Sequence, residues 1–279
     1  MGLRINTNVP SLSAQRNLRL TTTRQSDNFR KLSSGERITR AGDDAAGLAI
    51  SDNLQAIIRG SRQAARNADD AISLIQTAEG GLNEVSNIII RLRELAIQSA
   101  SDTVGNTERA FTDIEFQQLK AEIDRIANST EYNGTKLLNG TTGILDFQVG
   151  VRNDPLLDRI SYDGVASDAS LVTMGLAGES INTKEGAQLT LEKLDNALVY
   201  VNGIRANLGA TQNRLTSVAT TLAINDENLS AARSRIRDAD MASETADATK
   251  NNILAQSGIA VLAQANSAPS MALKLLNNM

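Results

Sequence analysis

From about Asp44 to Ser99, apolar residues return at alternating steps of three and four: Ile50, Leu54, Ile57, Ser61, Ala64, Ala68, Ala71, Ile75, Ala78, Leu82, Val85, Ile89, Leu92 and Ala96, with Ser61 the one polar position. A 3.5-residue period held over that length predicts a long helix wound against partners, because a straight helix drifts out of phase with a strict heptad. The Gly80-Gly81 pair weakens this helix locally and is where a bend is expected. A second seam runs through Leu191, Leu194, Leu198, Val201, Arg205, Leu208, Thr211, Leu215, Val218, Leu222, Asn225, Leu229, Ala232 and Ile236. The two long helices are natural mates. A shorter helix, roughly Thr107 to Asn128, offers Phe111, Ile114, Leu119, Ile123 and Ile126 as an apolar face and completes a three-helix bundle.

Between Tyr132 and Ser180 the pattern changes. Asn-Gly pairs stand at Asn133 and Asn139, and Leu145, Phe147, Val149 and Val151 alternate with polar or small residues, which reads as a β-hairpin. The expected fold class is therefore mainly α: long antiparallel coiled-coil helices forming a bundle, with a small β-hairpin region in the middle of the chain.

The last stretch carries its own seam, through Leu254, Gly258, Val261, Ala265, Ala268, Ala272, Leu275 and Met279, and after Lys250 its one charged side chain is Lys274. Ile253, Ile259, Leu262, Leu273 and Leu276 widen that stripe beyond a simple dimer seam. Ordering the backbone costs about 1–2 kcal/mol per residue, and a buried large apolar side chain returns about 1.5–3 kcal/mol, so this tail needs partner contacts to be ordered. It is expected to be largely disordered in the free subunit and helical within an assembly. The first thirty-odd residues form a complementary strip, with Ile5, Val9, Leu12, Leu18, Leu20, Phe29 and Leu32 among many polar residues.

Composition narrows the chemistry. Aromatics make up 3% of the chain, and there is no Trp, Cys or His, so thiol nucleophiles, imidazole bases, disulfides and zinc sites built on Cys or His are excluded. Three Pro residues leave long stretches open to continuous helix. A net charge of −4 without a basic block argues against nucleic acid as the main partner. No window approaches a membrane span, and the first residues lack the apolar core of a cleavable signal, so export is expected by another route. No phosphate-binding Gly loop appears, and Asp43 and Asp44 face no base, nucleophile or ligand set. No enzyme, cofactor or metal is expected. In Gly42-Asp43-Asp44, Asp favours a helix start and Gly permits an unusual turn.

Several segments are similar to the bacterial flagellins: LSSGERITRAGDDAAGLAISDNL from Leu32 to Leu54, RELAIQSASDT from Arg93 to Thr103, EYNGTKLL from Glu131 to Leu138, ALVYVNGIRANLGATQNRL from Ala197 to Leu215, and ENLSAARSRIRDADMASETADATKNNILAQSGIAVLAQAN from Glu227 to Asn266. The resemblance extends over nearly the whole chain. It implies a structural subunit that self-assembles into the flagellar filament used for swimming, outside the cell. The terminal helices would pair to line a central channel: residues 1–42 and 237–279 as the two halves of an inner coiled-coil domain, residues 43–180 and 181–236 as the two halves of a shell domain. Only about Asn139 to Glu179 is left for the outer insert of the family, so large outer domains are expected to be absent.

The resemblance also implies residue roles and partners. Leu254, Val261, Ala265, Ala268 and Leu275 would form the core assembly seam, and Gly42, Asp43 and Asp44 the junction between domains. Arg91, Glu94 and Leu95, with Glu115 on the neighbouring helix, match the motif recognised by the vertebrate flagellin-sensing Toll-like receptor and used between protofilaments. Type III flagellar export, an export chaperone on the C-terminal helix, and hook-associated and cap proteins are the further partners implied. The runner-up is a hook-associated junction or cap protein, which shares coiled terminal helices.

Overall fold

The computed structural model describes residues 7–277, with the side chains at 269 and from 271 onward lying outside that description. Five helices and four short strands follow one another: α1 (Val9–Ser34), α2 (Ala45–Ala100), α3 (Asn106–Ser129), β1 (Glu131–Tyr132), β2 (Thr135–Lys136), β3 (Ile144–Gln148), β4 (Arg159–Asp163), α4 (Lys184–Arg237) and α5 (Met241–Asn277). The fold is mainly helical, with a small antiparallel β region in mid-chain.

Polar side chains start four of the five helices, where the first backbone donors need an acceptor; α3 starts at Gly105 without one. The Asn8 side chain accepts from Ser11 N at 3.1 Å, Asp44 from Gly47 N at 2.9 Å, Thr183 from Gly186 N at 3.1 Å and Asp240 from Ala242 N at 2.9 Å. At the end of α2 the Arg109 guanidinium reaches back from α3 to donate to Ser99 O and Ser101 O, both at 2.8 Å. This buried arginine joins α2 to α3 through carbonyls the helix end leaves open.

The chain forms two compact units, residues 1–56 with 228–279 and residues 57–227. α2 and α4 contribute to both. The compact units divide within α2 and α4.

The unit of residues 57–227 holds the main hydrophobic core. Every seam position of α2 from Ser61 to Ala96 is buried there. Ion pairs Arg62–Asp226, Arg205–Glu79 and Arg93–Asp195 set α4 antiparallel to α2, since positions rise along one helix as they fall along the other. α4 turns in Ala187, Thr190, Leu194, Ala197, Val201, Ile204, Leu208 and Leu215. The expected positions Leu194, Val201, Leu208 and Leu215 are thus buried. The alternate row lies one residue earlier than expected, so Leu191 and Leu198 are only half-buried flanks.

Two other expectations are corrected. Ile50 is exposed at the start of α2, where Ser51 and Ile58 turn inward. On α3 the inward residues are Phe116, Ile123 and Ala127, which share one helical face; Phe111 and Ile114 lie across the helix and are exposed. α2 continues through Gly80-Gly81, and packing accounts for Gly81: a Cβ there would stand 2.7 Å from Thr130 Oγ1 and 2.8 Å from Leu138 Cδ1. The glycine lets the chain leaving α3 lie directly on α2.

The β elements complete this unit. β1 and β2 form a hairpin with Asn133 and Gly134 both at positive φ, 49° and 78°, as a two-residue turn between right-twisted strands requires. β3 and β4 pair from Ile144↔Asp163 to Gln148↔Arg159, with Ile160 and Tyr162 buried and Leu145 and Phe147 packed against the core.

In the other unit α1 and α5 lie antiparallel. Asn8 Nδ2 donates to Ala265 O at 2.8 Å, Ser11 Oγ to Asn266 Oδ1 at 2.7 Å, Asn251 Nδ2 to Asn28 Oδ1 at 2.8 Å, and Asn28 Nδ2 and Lys31 Nζ to Glu244 at 2.7 and 3.0 Å. Beyond α1, Glu36 bridges Asp238, with Arg37 N donating to Arg237 O at 2.6 Å and Ala239 N to Gly35 O at 2.9 Å.

Candidate functional site

The α1/α5 pair is built the opposite way from the core of residues 57–227. Its inner seam on α5 is Ala248, Asn251, Ala255, Gly258, Leu262 and Ala265, again at steps of three and four, and on α1 it includes Ser11, Ala14, Leu18 and Asn28. Apart from Leu18 and Leu262 these residues are small or polar. At Gly258 an added Cβ would lie 3.3 Å from Leu18 Cδ1, so the two helices approach closely there. Most of the large apolar side chains point away: Val9, Leu12, Leu20 and Phe29 on α1, and Ile253, Leu254, Ile259 and Val261 on α5, are all exposed by 45–59%.

The expected seam residues divide accordingly. Ala265 is half-buried, whereas Leu254, Val261 and Ala268 are exposed, and the side chain of Leu275 lies outside the described residues. Of the inward row, Gly258 and Ala265 stood in the expected seam and Leu262 beside it, whereas Ala248, Asn251 and Ala255 were missed because they have the heptad spacing without hydrophobic bulk.

A second group sits on α2 and α3. The Arg91 guanidinium donates to Glu94 Oε2 at 2.9 Å and to Glu115 Oε1 at 2.9 and 3.1 Å. The hydrogen bond to Glu94, then those to Glu115, hold it above the usual arginine range. All three side chains are about half exposed, Leu95 is buried in the core beneath them, and Ile90 is exposed beside Arg91. The structure thus brings Arg91, Glu94 and Glu115 together at the surface and Leu95 under it.

The third group is the turn before α2. Burial acts to raise the pKa of Asp43, but hydrogen bonds from Thr39 Oγ1, Thr39 N and Arg40 outweigh it and bring the value to about 2. Arg30 and Arg40 also pair with Asp27, so two arginines and two aspartates tie the turn to α1. Asp44 caps α2 as expected. Gly42 does not need a glycine conformation; the left-handed residue is Gly35, at φ 70° as the C-cap of α1.

None of these groups has the makings of a reaction centre. Among the described residues no three side chains of ligand type gather as a metal site, and no helix is long and apolar enough to cross a membrane. Antiparallel coiled-coil helices with a small, polar seam inside and hydrocarbon outside define a subunit made to pack against other helices.

Residues 5–142 match the bacterial flagellin N-terminal helical region, and residues 191–276 the bacterial flagellin C-terminal helical region. The chain is 46% identical to a flagellin of Halalkalibacterium halodurans, over 98% of this chain and 99% of that one. It is 43% identical to the flagellar filament 30.7 kDa core protein of Treponema maltophilum, again over 98% and 99%. Among solved structures, a Bacillus cereus flagellin superposes with a TM-score of 0.50 at 30% identity, covering 56% of this chain and 88% of that one. The chain belongs to the bacterial flagellin family, in its short form. It is a structural subunit of the self-assembling flagellar filament and not an enzyme, and the end-to-end match to filament proteins favours this over a junction or cap protein.

Proposed function

We propose that the outward apolar rows of α1 and α5 are the surfaces through which copies of this subunit join. The observation that carries this reading is the reversed polarity of the pair: mostly amides and small residues between the helices, with Leu18 and Leu262 among them, and most of the leucine, isoleucine, valine and phenylalanine outside. A helix pair of this kind leaves most of its apolar area in water until other copies cover it, and that area drives association. Leu254, Val261 and Ala268 then form the seam between subunits, continued by Leu275, and Ala265 belongs to the contact within the subunit.

In the assembly residues 1–42 and 237–279 form the inner layer, residues 43–180 and 181–236 the shell, and Gly42, Asp43 and Asp44 the turn between them. The terminal segments serve passage through the flagellar type III apparatus, with a chaperone covering the C-terminal helix before assembly, and hook-associated and cap proteins meet the same helices at the ends of the filament. Arg91, Glu94 and Glu115 form a polar cluster open to a neighbouring protofilament or to the flagellin-sensing receptor, with Leu95 supporting it from below.

The test is the double variant Leu254→Asp with Val261→Asp. Both side chains are exposed in the subunit, so the fold should be kept and the circular dichroism of the monomer unchanged. Seeded polymerisation, followed by sedimentation and electron microscopy, should fail, since each buried charge is costly without a partner. Filaments of normal yield from the double variant would reject the reading.

A further inference from the structure

Two Asn-Gly pairs occur within seven residues of each other, in different surroundings. Asn133 is exposed at the tip of the β1–β2 turn, and its carboxamide takes no part in hydrogen bonding among the described residues. Gly134 follows with open space around it and with a backbone N–H that donates to no group among the described residues. Asn139 is half-buried, and its Oδ1 accepts from Thr141 N at 3.2 Å and from Thr141 Oγ1 at 2.6 Å. Its glycine is hemmed in: a Cβ on Gly140 would lie 2.8 Å from Asp168 Oδ2.

We propose that Asn133-Gly134 is a site of spontaneous covalent modification of the main chain, and that the fold protects the second pair, Asn139-Gly140, from the same reaction. Asparagine is among the thermolabile side chains, and a following glycine leaves its amide nitrogen sterically open. The Gly134 nitrogen loses its proton to hydroxide and attacks Cγ of Asn133. A Cγ–N bond forms, the Cγ–Nδ2 bond breaks, and Nδ2 departs as ammonia after taking up a proton from water. Water then opens the five-membered imide at either carbonyl, giving aspartate or an isoaspartyl link, with no change of oxidation state.

At Asn133 the carboxamide is free to rotate towards the nitrogen that attacks it. At Asn139 the two bonds from Thr141 hold the carboxamide in one orientation, and the Asp168 carboxylate beside Gly140 opposes the build-up of negative charge on the attacking nitrogen. The consequence at Asn133 is local. An isoaspartyl link adds a main-chain carbon to a two-residue loop, so the register Glu131↔Lys136 and Tyr132↔Thr135 cannot be kept. Older molecules then lose this hairpin beside Thr130 and Leu138, the residues that cover Gly81.

The full-length chain is to be held in mildly alkaline buffer and sampled over time by peptide mapping with mass spectrometry, which reads replacement of the amide by hydroxyl at each asparagine. In the folded chain Asn133 should convert faster than Asn139 by a factor on the order of ten, the scale of one or two protecting hydrogen bonds. In concentrated urea the two rates should converge, and Thr141→Val should raise the folded-state rate at Asn139. Equal rates in the folded chain, or a difference that persists in urea, would overturn the assignment.

Discussion

Protonating Asp43 removes the acceptor on which Thr39 and Arg40 converge. Its folded value of about 2 lies below the ordinary 3.8, so the stabilisation is complete above about pH 4 and is lost as the pH falls towards 2. Asp43→Asn should therefore lower neutral-pH stability by about 1–3 kcal/mol and flatten the acid limb of thermal unfolding below about pH 4, measured by far-ultraviolet circular dichroism. An acid limb as steep as the wild type's would show that other carboxylates govern it. The role of Asp44 as a cap was legible in the sequence because Asp ahead of a helical period has one common use. The left-handed glycine was not: Gly42 and Gly35 look alike in a string of letters, and only the backbone shows that Gly35 needs positive φ.

Along a single helix, neighbours of identical chemistry have opposite duties. Gly80 has open space where a Cβ would go, and Gly81 has Thr130 and Leu138 within 2.8 Å of that point. Gly80→Ala should stabilise the chain by about 0.5–1 kcal/mol through helix propensity. Gly81→Ala gains the same propensity but must displace a fully buried leucine, for a net loss of about 1–3 kcal/mol. Denaturant unfolding of the pair checks this, and a stabilised Gly81→Ala would mean that the packing above it yields freely. The seam of α2 was legible because its burial follows bulk and period together. On α4 the buried row Thr190, Ala197 and Ile204 competes with the bulkier Leu191, Leu198 and Arg205, and size in the sequence pointed to the wrong flank. On α3 the choice of Phe111 over Phe116 had another cause, since two aromatics of equal size five residues apart fit a stripe equally well until the helical phase is fixed by Ile123.

Taken whole, the molecule distributes its stability unevenly. The unit of residues 57–227 buries large aliphatic side chains along two long helices, whereas α1 and α5 meet mainly through alanine, glycine, serine and asparagine, with Leu18 and Leu262 the large side chains among them. Hydrogen exchange on the monomer should find α1 and α5 amides opening faster than those of residues 61–96 and 187–215 by on the order of tenfold or more, and slowing once filaments form. Uniform protection from end to end in the monomer would contradict this. The β region, the three-helix unit and the pairing of the two ends could be inferred from the sequence, but the inward face of the terminal pair could not, because its helices turn most of their bulk outward and pattern analysis takes bulk for the inside. The amides between them have a further effect. Two rods touching along smooth hydrocarbon can slide by a turn at little cost, but Asn28 against Asn251 and Ser11 against Asn266 act as teeth that mesh in one position only. Each molecule thus shows its neighbours the same spacing of external knobs, and a lattice that repeats one unit many times over cannot tolerate units of differing pitch.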